Sequence, residues 1–326
     1  MLPKPSRIGG SENTLGIHRF VQLDVFTDKP FAGNPLAVFP DGEGLSDEVM
    51  QQIAREMNLS ETVFVLPAAD NRTLRRLRIF TPGRELPMAG HPVVGTWNAL
   101  AREGVVPLPE GGTGWTRIEQ ELNIGVLPVD IEFKDGQPIG VVMTQGKFDI
   151  LRDVEDVSIR AEIEGALRLE PHELDRSLPV QVASTGIPIL LVPVRTLEAL
   201  KRCRMNTSVL REIGHRLGSS ECYAFTRETL DGPPSLAHAR LFAPELGISE
   251  DPATGAAAGP LGAYLVHHGA PDIEPVDSSY RFVIEQGDFL HRSSRINIEI
   301  KGERGKVERV RVGGPSVVVA HGELIF

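Results

Sequence analysis

Cysteine is scarce in this chain of 326 residues: there are two, Cys203 and Cys222. Two cysteines cannot build a disulfide framework, and their spacing fits no zinc pattern. Each reads as a small buried hydrophobe. Long apolar runs are missing too. The uncharged apolar stretch Gly186 to Val194 is too short to span a bilayer and contains two prolines. Met1 to Asn13 carries no apolar core of the kind a secretory signal needs. Positive charge is in deficit, with 34 Lys and Arg against 44 Asp and Glu for a net charge of −10. A general nucleic-acid binder is therefore not expected, because phosphate neutralisation needs surplus Lys and Arg. A small anionic substrate remains open, since it answers to local fields. There is no G-x-G-x-x-G, Walker loop, H-E-x-x-H or G-x-S-x-G. His267-His268 and His172-Glu173 lack convincing partners for a metal. A cytoplasmic, cofactor-independent protein, without metal, membrane or nucleic-acid contact, is the expectation.

What the chain does have is a repeat. Arg78, Phe80 and Pro82 recur as Arg240, Phe242 and Pro244, each 162 positions on. Each set leads to a glycine-marked segment, Ala89-Gly90-His91-Pro92 to Gly95 and Thr254-Gly255-Ala256 to Gly259, and then an apolar run. The offset is about half the chain, far longer than the period of a solenoid. Two similar domains are expected, each large enough for its own core. Residues 1–16 are expected to form a flexible arm, 17–136 the first domain and 137–315 the second. The segment 316–326 reads as closing strands that could complete the first.

Local patterns predict strands over His18 to Phe26, Leu36 to Phe39, Ser60 to Leu66 and Leu74 to Phe80. Between them Ser46 is placed to cap a helix with Asp47 and Glu48 in its first turn, and Asn58 to end it. The second half predicts the same order: a hairpin over Val182 to Val194, a helix over Ser208 to Leu217, then strands Ser220 to Phe225 and Ala237 to Phe242. Gly125 to Thr144, turning at Asp135-Gly136, bridges the halves. Many strands and about two substantial helices per half do not make a doubly wound parallel sheet. An α+β fold is expected instead, two pseudo-symmetric domains with a mixed or antiparallel sheet around a central helix.

Two facing helix starts would present unpaired N–H groups to a carboxylate or phosphate. Gly90, Gly95, Gly255 and Gly259 would let a ligand approach closely; the plainer alternative is that small residues let a central helix pack tightly inside a sheet. Glu61 opens an otherwise apolar strand, where burial would raise its pKa toward the range useful for acid–base work. The plainer alternative is a solvated Glu61, or one paired with Arg55 or Arg75. His91 could exchange a proton at the cleft or serve as a structural hydrogen-bonder. Asp251 could cap the second helix, orient a substrate group, or do both.

Four ordered motifs resemble PhzF-like (phenazine biosynthesis) proteins: Phe31-Ala32-Gly33-Asn34-Pro35, Met57-Asn58-Leu59-Ser60-Glu61-Thr62, Glu85-Leu86-Pro87-Met88-Ala89-Gly90-His91-Pro92 and Glu250-Asp251-Pro252-Ala253-Thr254-Gly255. The resemblance runs from about Phe20 to the C-terminus. It implies a diaminopimelate epimerase-like fold, an active site between the domains, a homodimer and cofactor-free isomerase chemistry. The family's acid/base glutamate falls on Glu61, and its helper His and Asp on His91 and Asp251. Asn34, Gly90, Thr254, Gly255 and Ala256 are the expected substrate contacts. Ala256 departs from the serine of the phenazine enzymes. The two catalytic cysteines of the epimerases are absent from the helix starts. The expected function is proton movement on a small carboxylate-bearing carbon acid. The alternatives are a metabolite-binding protein with little catalysis and an epimerase acting at one stereocentre, for which the sequence offers only His91 or Asp251 as second base.

Overall fold

The repeat in the sequence is a repeat of structure in the computed structural model, which describes residues 16–270 and 273–326. The expected arm at 1–16 lies outside these residues except for Gly16. The first half runs β1 (Ile17–Val25), β2 (Asn34–Phe39), α1 (Asp47–Met57), β3 (Glu61–Leu66), β4 (Arg76–Phe80), a short β5 (Glu85–Leu86) and α2 (Gly90–Arg102). Three strands follow: β6 (Gly114–Leu122), β7 (Gly125–Lys134) and β8 (Gln137–Thr144). After β9 (Asp149–Asp153) and α3 (Val157–Leu167) the first order returns. It comes as β10 (Gln181–Ser184), β11 (Pro188–Pro193), α4 (Leu197–Arg202), α5 (Thr207–Leu217), β12 (Glu221–Thr226) and β13 (Ser235–Ala243), then β14 (Ile248–Asp251) and α6 (Gly255–His267). The chain closes with β15 (Ser279–Gln286), β16 (Ser294–Glu303), β17 (Lys306–Gly314) and β18 (Ser316–Ile325).

Local chemistry sets the ends of α1 as its sequence predicts. Ser46 accepts a hydrogen bond from the Val49 N–H, and Asn58 closes the helix in the left-handed region at φ 49°. The second half holds two helices more than expected, the short α4 and the longer α3, which is capped by Asp156, whose side chain accepts from Ser158 N–H. Its polar and apolar residues are poorly segregated, so no stripe announces it.

The strands join in one mixed sheet, with parallel pairs β2–β3 and β11–β12 at equivalent places in the two halves. α2 is buried along all but its last residue, and α6 nearly so. β8, β1 and β2 pack on α2, while β16, β15 and β10 pack on α6, and β17 touches both helices. β8 hydrogen bonds to β7 on one side and β17 on the other. It begins at the position expected to open the second domain, yet packs against α2. β18 returns to pair with β1 along its whole length. One buried cluster takes in Trp97 of α2 and Tyr264 of α6, with smaller cores under α1 and between α3 and α5. Among the described residues, no helix is long and apolar enough to cross a membrane.

The repeated Arg and Phe are braces. Arg78 makes two bonds to Glu85, at 2.8 and 2.7 Å, and lies over Phe80; Arg240 makes two to Glu250, at 2.8 and 2.6 Å, and lies over Phe242. Such paired, planar contacts fix each loop leading to a central helix.

Candidate active site

Glu61 owes its position to the end of α1. Asn58 reverses the chain, two residues follow, and β3 begins at Glu61 beside Leu36 of β2. The next four residues are buried, so the strand draws its first carboxyl inward and leaves that side chain 12% exposed. Burial raises the Glu61 pKa well above the ordinary value, and the charges of Asp251 and Glu221 raise it further. Neither arginine suspected as a partner reaches it: Arg55 donates to the Pro82 carbonyl and Arg75 to that of Leu74.

His91, the second residue of α2, brings Nε2 to 3.2 Å from Glu61 Oε2. The two atoms are too poorly aligned to form a hydrogen bond, and each is otherwise without a partner. Burial pushes the imidazole down to about 3, so it is neutral near pH 7. Asn34 Nδ2 faces its Nδ1 at 3.4 Å. An amide nitrogen is only a donor, so Nδ1 is the acceptor and Nε2 carries the proton, toward Glu61.

Asp251, at the end of β14, does not cap α6. The cap position is Thr254, and no side chain accepts there. Asp251 instead accepts from the Thr254 hydroxyl and, at 3.0 Å, from Asn34 Nδ2. Burial pushes its carboxyl up to about 6 against the pull of those two bonds. Asn34 is fully buried; it also donates to Ala253 O at 2.8 Å and accepts from Ser60 Oγ. Expected as a ligand contact, it stands behind the site and holds it together. Thr254 is similarly engaged, its N–H donating to Gln286 Oε1 and its hydroxyl accepting from Gln286 Nε2.

Sequence reasoning missed Gln286 and the residue beneath it, Tyr223, whose hydroxyl donates to the same Oε1 at 2.7 Å. The available signal was a polar residue closing a strand just before Gly287, which adopts φ 83°. Gln145 was missed as well. It donates to the Gly255 carbonyl at 2.8 Å and accepts from Thr185.

The two helix starts do meet. A Cβ added to Gly90 would lie 3.5 Å from Ala256 N and 3.7 Å from the Gly255 carbonyl carbon. The first N–H groups of both helices, which have no partner within the helix, therefore converge. For Gly95 and Gly259 the packing alternative holds. A Cβ on Gly95 would strike Leu36 and Val25, and one on Gly259 would strike Gln145. They are packing glycines.

Open space lies at Glu61, and neither helix start lines it. A cavity of about 930 Å³ is walled by Asn58 to Glu61 and Thr81 to Arg84 from the first half. Gly218 to Ser220, Glu245 and Ile248 form the wall from the second. Next to Ser220 is Glu221, the counterpart of Glu61, pushed up to about 7 by burial and by Asp251. The cysteines play no part: both are buried, and burial pushes Cys203 up to about 11 and Cys222 higher still.

A sheet wrapped around a buried helix, repeated once, with carboxyls and an imidazole where the helices begin, defines the diaminopimelate epimerase-like class. The same fold occurs in a hydroxyproline epimerase of Agrobacterium vitis, with TM-score 0.64 and 15% identity over 95% of this chain and 92% of that one. The model of the PhzC-PhzF family, phenazine biosynthesis-like proteins, matches residues 23–322, and the chain belongs to that family. An uncharacterized isomerase of Clostridium acetobutylicum is 34% identical over 95% of this chain and 98% of its own. The trans-2,3-dihydro-3-hydroxyanthranilate isomerase of Pseudomonas aeruginosa is 34% identical over 94% and 99%. The crystal structure of a Bacillus anthracis phenazine biosynthesis protein of the PhzF family superimposes with TM-score 0.83 and 28% identity, over 95% of this chain and all of that one. The protein is thus an enzyme of the isomerase class.

Proposed function

We propose that the chain is a cofactor-independent isomerase that moves a proton on a small carboxylate-bearing carbon acid, with Glu61 as the general acid/base. The observation that carries this is the setting of Glu61: a carboxyl with raised proton affinity and no cation beside it, lining a cavity, 3.2 Å from a neutral imidazole nitrogen. Such a carboxylate is a far better base near neutral pH than a solvated one. The electron pair left by the proton moves into the substrate's carboxylate or carbonyl. The N–H groups of Gly90, Gly255 and Ala256 receive that charge, and the meeting helix starts part slightly to admit it. His91 and Asp251 position the ligand and assist proton movement, while Asn34 and Thr254 set the Asp251 carboxyl. Return of a proton to carbon gives the isomer.

The named substrate of the Pseudomonas aeruginosa relative is such a compound and the first candidate here. Ala256 offers that substrate no hydroxyl and favours a ligand with one fewer polar group at this point. We read the two halves as domains, with the strand 316–326 completing the first and the division after β8 in place of residue 136. We place the enzyme in the cytoplasm as a homodimer, the commonest oligomer, with a small anionic metabolite and neither nucleic acid nor membrane as its partner.

Proton NMR in D₂O of trans-2,3-dihydro-3-hydroxyanthranilate tests the assignment. Wild-type protein is expected to place deuterium on carbon or shift the double bond, and Glu61→Gln to do so at least ~10²-fold more slowly. Full turnover by a folded Glu61→Gln protein would remove Glu61 from the mechanism.

A further inference from the structure

Glu221 stands in the second half where Glu61 stands in the first. Each opens a strand parallel to its predecessor, Glu61 beside Leu36 and Glu221 beside Ile189. Each strand then pairs antiparallel with the one bearing the Arg and Phe brace, Thr62 opposite Phe80 and Cys222 opposite Phe242. The serines just before them, Ser60 and Ser220, line one cavity from its two walls.

Glu221 is largely buried, with the residue 8% exposed. Among the described residues no hydrogen bond or ion pair reaches it. Its electrostatic neighbours are other carboxyls: Asp251 acts on it, and it acts on Glu61. A buried carboxyl without a donor is costly, and a residue kept only for the fold would have a partner or be apolar. The imidazole of the first half is not repeated, because Ala256 occupies in α6 the place of His91 in α2. The acid is kept on both sides, its helper on one.

We propose that Glu221 is a second catalytic acid/base of this cleft, serving the face of the substrate opposite Glu61. The inference rests on the isomerase reading above and narrows its substrate class to carbon acids whose hydrogen is exchanged across a plane. Glu61 as carboxylate takes the proton from carbon on one face, and that C–H pair becomes part of a π system conjugated with the substrate's carboxylate. Glu221 as carboxylic acid gives its proton to carbon on the other face. One C–H bond breaks and one forms, the two carboxyls exchange charge, and water resets them. At a single carbon this inverts a stereocentre. On a conjugated substrate it delivers hydrogen to the far face.

Carboxyl-carbon NMR of glutamate-labelled protein, titrated free and in tens-of-millimolar anthranilate as a flat amino-carboxylate probe, tests this. Glu61→Gln and Glu221→Gln assign the two signals, and Glu221→Asp does so if the latter variant does not fold. Glu221 is expected to titrate in the neutral range, both signals to move with anthranilate, and Glu221→Gln to lower the Glu61 midpoint. A Glu221 signal indifferent to anthranilate while that of Glu61 moves overturns the proposal and leaves the isomerase reading intact. Two indifferent signals overturn both.

Discussion

Asn34 donates from Nδ2 to Asp251 Oδ1 at 3.0 Å, joining residues 217 positions apart. The same amide donates to Ala253 O, faces His91 Nδ1 and accepts from Ser60, the neighbour of Glu61. One buried side chain thereby sets the start of the Glu61 strand, the tautomer of the imidazole and the carboxyl of the other half. A carboxamide is suited to this because it is donor at one end and acceptor at the other, and carries no charge among carboxyls.

Asn34→Asp keeps the shape and reverses the donor. Two carboxyls then meet at 3.0 Å in a buried place. The expected loss near pH 8 is about 3–5 kcal/mol of unfolding free energy. Part of it should return near pH 5, where the pair shares a proton. Thermal unfolding at both pH values reads this out. An equal loss at each would assign the damage to shape alone.

Two glycine substitutions should part binding from stability. Gly90→Ala places a methyl at ordinary contact distance, 3.5 Å from Ala256 N, so the fold should keep its stability within about 0.5–1 kcal/mol. That methyl fills the gap between the helix starts, and KM should rise ~10-fold, as the loss of a charge-assisted hydrogen bond implies. Gly259→Ala should do the reverse. Its Cβ would fall 1.8 Å from Gln145 Oε1, driving that side chain off Gly255 O and Thr185 at about 1–3 kcal/mol. Denaturant unfolding with steady-state kinetics separates the two. If Gly90→Ala leaves KM unchanged, the ligand does not use the helix starts.

Features legible in the sequence were those that one segment decides. Ser46 and Asn58 bound α1 through their own side chain or backbone, so local pattern suffices. The recurrence of Arg78 and Phe80 as Arg240 and Phe242 shows two halves, but their role as braces needs Glu85 and Glu250, brought near only by the short return strands. Asp251 looked like a helix cap because capping is read from spacing; tertiary partners from β2 and β15 override it. Gln286 and Tyr223 become neighbours only through the pairing of β13 with β12 and β15. For Gly95 and Gly259 the sequence left packing and ligand approach both open, because a glycine that admits a side chain and one that admits a ligand leave the same mark.

Burial drives the site's groups in opposite directions, which gives the last prediction its sign. Glu221 moves from 4.5 to about 7, so between those values the folded chain holds a proton that the unfolded chain has released. Its contribution to stability is complete below about pH 4.5 and is lost as pH rises through 7, by about 3 kcal/mol in all. His91 moves from 6.5 to about 3, so its contribution is present above 6.5 and lost as pH falls toward 3. The stability of wild type relative to Glu221→Gln should therefore fall from pH 4.5 to 8, while that relative to His91→Asn should rise from pH 4 to 6.5. Asp251, also raised, acts in every protein of the set, and its repulsion of Glu221 adds to the fall in the first difference. Urea unfolding across this range measures each. Parallel curves for wild type and Glu221→Gln would mean that the Glu221 carboxyl titrates normally, and that the second half of the cleft holds no proton to give.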